Sequence, residues 1–229
     1  MTDLTTLRPR KLLNRRGITV RDLVRPGTGQ LAAVAVGAAS ASLAVAYGWR
    51  RNPTPFPYTL KFFLRHPLIG RERLLEILEP RPGEQLLEIG PGLGYYALPV
   101  AEALGEGTLD LVDVQQAMLN HTLEQARQRG LSNLRPTLSD GGGLPFGDNS
   151  FDGVYLSEVI GEIPDQDAAF REFKRVLRPG GRLVVGESLL SADVHFIPFG
   201  SVSRRAHQAG LRFDRRLGSA LGYFARFTA

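Results

Sequence analysis

Cysteine is absent from the 229 residues, which removes disulfides, thiolate metal sites and cysteine nucleophiles and leaves a reducing compartment permitted. Acidic charge is in short supply as well: 23 Asp and Glu stand against 28 Lys and Arg, a formal net charge of +5. That balance is compatible with nucleic acid, anionic lipid or a general arginine bias, and its distribution says more than its total. Arg8, Arg10, Lys11, Arg15, Arg16, Arg21 and Arg25 face only Asp3 and Asp22 in the first 25 residues. Long uncharged runs are equally scarce. The clearest is Leu31 to Trp49, "LAAVAVGAASASLAVAYGW", ended by Arg50 and Arg51. Its length suits a membrane span and Tyr47 and Trp49 suit an interface, but its alanine, glycine and serine make insertion marginal. A basic segment on its N-terminal side also opposes placing a later catalytic domain inside the cell. Three readings stand: a membrane anchor or interfacial helix, an Ala-rich helix packed on protein, or a flexible extension.

The whole chain has ordinary globular composition, 43% hydrophobic and 22% charged, and is long enough for one α/β domain and an appendage. The expected division is a basic extension over 1–55, containing the apolar helix 31–49 and a proline-rich linker, then a domain over 56–229 with cap helices in 59–80. The linker is "RNPTPFPY"; the cap segment "TLKFFLRHPLIGRERLLEILEP" carries two helical patterns broken at His66-Pro67. From Gln85 strand and helix alternate: "QLLEIG", "ALPVAEALG", "GTLDLVDV", "QQAMLNHTLEQARQRG", then "LRPTLSD", an outer strand by its Pro136. "FDGVYLS" and "GRLVVGES" are further strands, separated by the helix "DAAFREFKRVL" and a turn at Arg178-Pro179-Gly180-Gly181. A helix near "SVSRRAHQAG" and two β-rich runs, "LRFDRRLG" and "GYFARFT", close the chain. The pattern predicts an α/β, doubly wound, mainly parallel sheet with ligands at the carboxyl ends of its strands.

"LLEIGPGLGYY", Leu86 to Tyr96, decides what those strands hold. With Gly90 and Gly92 as the first two glycines of a dinucleotide fingerprint, the third falls at position 95, which is Tyr, and NAD loses its support. An acidic residue, Glu88, instead lies two positions upstream, and Asp113 ends the next strand at a spacing suited to two ribose hydroxyls. At this point the sequence resembles the class I S-adenosylmethionine-dependent methyltransferases, in the subgroup that includes quinone and other small-molecule enzymes. The resemblance covers about residues 70 to 229 and rests on four ordered motifs: "LLEIGPGLG", "LVDVQQAML", "LSDGGGLPFGDNSFDGVYLSEVI" and "FKRVLRPGGRLVV".

The resemblance implies a Rossmann-like methyltransferase fold, seven-stranded with an antiparallel C-terminal strand, and S-adenosyl-L-methionine as cofactor. It assigns Glu88, Gly90, Pro91, Gly92, Gly94, Asp113, Val114, Asp140, Gly141 and Ser157 to cofactor binding. The glycines would let backbone approach the ligand, Glu88 would meet the methionyl ammonium through water, Asp113 would accept from the ribose and Asp140 from the adenine amine. Leu144 and Phe146 are apolar neighbours of the site, and a core role serves Phe146 equally well. Singly, each acid has a plain alternative: Glu88 or Asp113 at a helix end, Asp140 in a turn. Together, in order and spacing, they read as a site.

Methyl transfer from a sulfonium is an in-line displacement that needs alignment and dryness rather than a covalent residue. No catalytic residue or metal ligand is therefore assigned. Glu158 and Glu162 share a face if "SEVIGE" is helical and could orient an amine or act as base; His195 follows the fifth strand and is a second candidate base. His66 and Tyr58 lie in the segment that often covers the cofactor in the family, and Tyr95 and Tyr96 either meet the methionine end or pack under the first helix. The Asn- or Asp-Pro-Pro-aromatic sequence of amide and amino-base methyltransferases is missing from "LSEVIGEIPD", which disfavours nucleic acid; a histidine pair common in small-molecule relatives is replaced by Gly161 and Glu162. The expected partner is a small-molecule acceptor, with a lipid or quinone-like one suited to a cytoplasmic domain held at a membrane surface by residues 1–51. The rivals are an RNA or protein methyltransferase and a non-catalytic S-adenosylmethionine-binding regulator. Oligomeric state is not encoded in any of these features.

Overall fold

The structure is a computed structural model that describes residues 69–139, 143–189 and 196–229. The N-terminal extension, its apolar stretch 31–49, the first cap helix, Tyr58, His66, Asp140, Gly141 and His195 lie outside the described residues. Along the described chain run helix α1 (Arg71–Leu78), strand β1 (Gln85–Ile89), α2 (Ala97–Leu104), β2 (Thr108–Asp113), α3 (Gln116–Gln128) and β3 (Leu134–Leu138). There follow β4 (Phe151–Ser157), α4 (Gln166–Val176), β5 (Leu177–Ser188), α5 (Phe199–Gln208), β6 (Arg212–Ser219) and β7 (Gly222–Thr228).

The strands form one seven-stranded sheet in the order β3-β2-β1-β4-β5-β7-β6. β1 through β5 pair in parallel, and β7 is antiparallel to both β5 and β6. This is the expected doubly wound, Rossmann-like methyltransferase arrangement, with β3 at an edge as Pro136 required. Alternation along the central strands serves two cores: Leu87, Val154 and Leu156 pack with Phe170 and Phe173 of α4 and Val202 of α5. Leu86, Leu111 and Tyr155 face the other way, toward Leu74 of α1, Val100 of α2 and Leu119 of α3.

One expected turn is different in kind. Arg178 to Gly181 belongs to β5, where the register jumps from Phe151↔Leu177 to Gly153↔Arg182. The segment is a bulge, stabilised because the Gly180 amide donates to the Ala229 carbonyl at 3.1 Å and the Ala229 amide to the Gly181 carbonyl at 2.8 Å.

Part of the arginine excess has a structural use. The last carbonyls of a helix lack intrahelical donors. In α1 the Glu76 carbonyl accepts from Arg215 at 2.6 Å, Ile77 from Arg226 at 3.0 Å, and Leu78 and Glu79 both from Arg182. Three arginines from β5, β6 and β7 thus cap α1 where the helix dipole is negative. Its other end lies beside the turn after β1, because the Tyr96 hydroxyl donates to the Ile69 carbonyl.

Candidate functional site

The strand order reverses between β1 and β4, and the carboxyl ends of β1, β2 and β4 converge there, the usual place for a ligand in such a sheet. Gly90, Gly92 and Gly94 carry φ of 68°, 54° and 78°, so the turn leaving β1 is left-handed at each. Two of them do different work. A Cβ on Gly90 would stand 2.4 Å from Val159 Cγ2, so this glycine lets the turn pack on the segment after β4. A Cβ on Gly92 would meet nothing within 4 Å, so this face of the turn is open to a ligand. Pro91, between them, is buried. The Gly90 amide donates to the Val112 carbonyl at 2.8 Å, and the Thr122 hydroxyl of α3 donates to the Gly92 carbonyl at 3.0 Å. Thr122 was not marked by any motif; its role follows from α3 packing against the turn.

Asp113 ends β2 beside this open face and is only 8% exposed. Its Oδ1 accepts the Gln115 amide at 2.8 Å. Burial pushes its carboxyl above the usual Asp range, against the opposing pull of the Gln115, Gly92 and Val114 amides. Asp113 therefore serves the entry to α3 and the glycine turn at once, and a carboxylate's roughly four acceptor positions are not exhausted by these amides. Next to it Val114 is 50% exposed, and Leu138, its neighbour at the end of β3, is 57% exposed. Two large apolar side chains left uncovered at the ligand end of a sheet suit the faces of a flat aromatic ring. Leu138 opens the "LSDGGGLPF" motif but has no role assigned there, and it could not be singled out before the β2–β3 register, Asp113↔Leu138, was known.

Glu88 lies beneath the turn, 2% exposed, and accepts from the Tyr155 hydroxyl at 2.8 Å. Ser157, 7% exposed, donates to the Tyr96 hydroxyl at 3.4 Å, so its hydroxyl joins an internal chain that runs on to Ile69. Tyr96 packs under α2 edge-on to Phe224, while Tyr95 lies under the Arg71 guanidinium, 4.3 Å from the ring centroid. The two tyrosines thus brace α1 against the turn. The donor set presented by Glu88, Asp113 and the open glycine face fits a ligand with a cationic amine, a diol and a planar ring.

Glu158 and Glu162 do not share a helix face. Glu158 sits in the left-handed region, φ 60°, with its amide donating to the Gly186 carbonyl at 2.8 Å; a single 3-10 turn, Ile160–Glu162, follows. The chain leaves β4 too sharply for an α-helix, because Val159 must reach back to Gly90. Glu158 is nonetheless 8% exposed at the end of β4, and its strained backbone is of the kind found at functional sites.

The loop after β3 returns to the core through Leu144, 5% exposed, and Phe146, whose ring meets Phe151 edge-on at 4.9 Å. Leu144 is a core residue, and Phe146, half-buried, packs against the same core. Arg175 of α4 holds this loop: Nη1 donates to the Phe146 carbonyl and Asp148, both at 2.8 Å, and Nη2 to the Leu144 carbonyl at 3.0 Å. Glu172 pairs with the same guanidinium at 2.7 Å and accepts the Leu144 amide at 3.0 Å. Arg175→Ala is expected to cost about 1–3 kcal/mol of unfolding free energy, read in a urea titration. A curve superimposing on the parent's would remove Arg175 as the loop's anchor.

Comparison with known proteins matches residues 87–185 to a family described as a methyltransferase domain. The chain is 38% identical over 112 residues to nocamycin O-methyltransferase of Saccharothrix syringae, covering 48% of this chain and 40% of that protein. It is 37% identical over 109 residues to the ubiquinone/menaquinone biosynthesis C-methyltransferase UbiE of Vibrio cholerae, covering 47% and 42%. The match spans about two fifths of the length of these relatives. In structure the chain resembles an S-adenosylmethionine-dependent methyltransferase from Aquifex aeolicus, with a TM-score of 0.66 at 22% identity over 77% of this chain and 98% of that one.

Proposed function

We propose that this chain, whose residues 87–185 match a family described as a methyltransferase domain, transfers a methyl group from S-adenosylmethionine to a small-molecule acceptor by in-line displacement. The observation that carries the reading is the buried Asp113 carboxylate set beside the open face of Gly92. In this reading Asp113 accepts from the two ribose hydroxyls, Val114 and Leu138 flank the adenine, and Asp140 and Gly141 serve its amine. The backbone of Gly90, Pro91, Gly92 and Gly94 lines the methionine, with Glu88 reaching the ammonium through water and Ser157 supporting the wall behind it. When bound, the cofactor supplies a methyl carbon activated by its sulfonium. The chain's own task is to hold the acceptor in line with that carbon and to keep water out.

Glu158 is the favoured candidate for meeting the acceptor, since it is buried at the end of β4 with a left-handed backbone; Glu162 and His195 remain candidates. The acceptor class we favour is lipid or quinone-like. One relative is named for O-methylation and one for C-methylation in quinone biosynthesis, so the methylated atom does not carry over. Support for a lipidic acceptor comes from the uncharged stretch 31–49 beside a basic arm, followed in the sequence by the proline-rich "RNPTPFPY". Among the described residues no helix is long and apolar enough to cross a membrane. The proposal places residues 1–51 at the cytoplasmic surface of a membrane, within reach of such an acceptor.

The test is formation of S-adenosylhomocysteine by the full chain given lipid extract, bulk RNA or bulk protein as acceptor. Turnover is expected on lipid extract. Turnover on RNA or protein alone would sink the lipid assignment, and tight cofactor binding with no turnover on any of them would make the protein a non-catalytic binder.

A further inference from the structure

We propose that Tyr155 is a positioning residue that aims the Glu88 carboxylate at the ammonium end of the cofactor, an inference that rests on the reading of Glu88 given above. Glu88 and Tyr155 stand opposite each other in the β1–β4 register, and the phenol donates to Glu88 Oε2 at 2.8 Å. Both are essentially sealed, at 2% and 0% exposure. Burying a carboxylate is costly, and an apolar pair of similar volume would hold two strands together as well or better. An acid retained here therefore points to a charge that is used.

A glutamate side chain has three torsions, and a donor fixed on the neighbouring strand selects among them. The Tyr155 ring is itself fixed by the core that contains Tyr96, Leu98, Val184 and Phe224. Burial and the nearby Glu88 charge both push the phenol well above its usual range, so it stays a donor at any pH the protein meets. One such bond does not exhaust a carboxylate, which offers about four acceptor positions.

The test compares two ligands on the full chain by calorimetry: S-adenosylhomocysteine, and 5′-methylthioadenosine, which keeps the nucleoside and thioether but lacks the amino-acid end. The parent should prefer S-adenosylhomocysteine. Tyr155→Phe should lower that affinity about tenfold, while 5′-methylthioadenosine changes by less than about twofold. Glu88→Gln should remove the preference at least as strongly, and adding Tyr155→Phe to it should change the ratio no further. Partial unfolding of a variant scales both affinities alike, so the ratio remains readable. If Tyr155→Phe weakens both ligands equally, or neither, while Glu88→Gln is selective, Tyr155 is merely structural and the inference fails. If Glu88→Gln leaves the preference untouched, the assignment of Glu88 is wrong at its root.

Discussion

Asp113→Asn is expected to yield a folded protein whose affinity for S-adenosylmethionine, read by calorimetry, is lower by about a hundredfold, with no loss of stability in the ligand-free state. The carboxylate offers two oxygens, one engaged by the Gln115 amide. An asparagine has a single oxygen: if it keeps the bond to Gln115 it turns an NH2 group toward the ribose, and two charge-assisted bonds are lost or reversed. Stability moves the other way. Burial raises the folded-state pKa of Asp113 above its ordinary value of 3.8. A raised pKa means that the favourable contribution of this group is complete in acid below that value and is lost as pH rises through the folded-state pKa. At neutral pH the ionised, ligand-free Asp113 is thus a cost that Asn removes. Urea titrations should show Asp113→Asn at least as stable as the parent at neutral pH, with the difference vanishing in acid. Unchanged cofactor affinity would overturn the ribose assignment; a variant less stable at neutral pH than in acid relative to the parent would show that burial does not dominate.

Gly90→Ala is expected to cost about 3 kcal/mol of unfolding free energy. About 1–2 kcal/mol comes from forcing a Cβ into the left-handed region at φ 68°. The remainder comes from overpacking, since that Cβ would stand 2.4 Å from Val159 Cγ2. Val159→Ala in the same chain should return the overpacking part and leave the conformational part. Gly92→Ala is the contrasting variant: it carries the φ cost without a clash, and its methyl enters the open face of the turn. It should lose cofactor affinity out of proportion to its stability, whereas Gly90→Ala loses both. If Val159→Ala restores nothing, the contact is not the source of the cost.

These residues also show what reading along the chain can reach. Glu88, the three glycines and Asp113 stand out together because a βα unit compresses them into one local pattern, an apolar run broken by glycine and answered by an acid at the end of the next strand. The same locality exposed the limits. "SEVIGE" admits a helix on spacing alone, but Val159 is drawn onto Gly90, 69 residues earlier, and the backbone at Glu158 turns left-handed instead. Arg178 to Gly181 reads as a turn, yet the pairing of Gly180 and Gly181 with Ala229 makes it a bulge inside a strand. Phe146 stood open between ligand wall and core until the ring contact with Phe151 and the Arg175 pin set it against the core, with Leu144 buried beside it.

By itself, then, the amino-acid sequence determined the alternation of strands and helices, the resemblance to methyltransferases and the glycine turn with its two flanking acids, because each depends on residues within a few positions of one another or on the order of short motifs. Tertiary structure alone decided the partners: Tyr155 against Glu88, Leu138 beside Asp113, Thr122 on the glycine turn, and three arginines on the end of α1. Those pairings are set by strand register and by which helix covers which face, and register is a property of how distant segments meet.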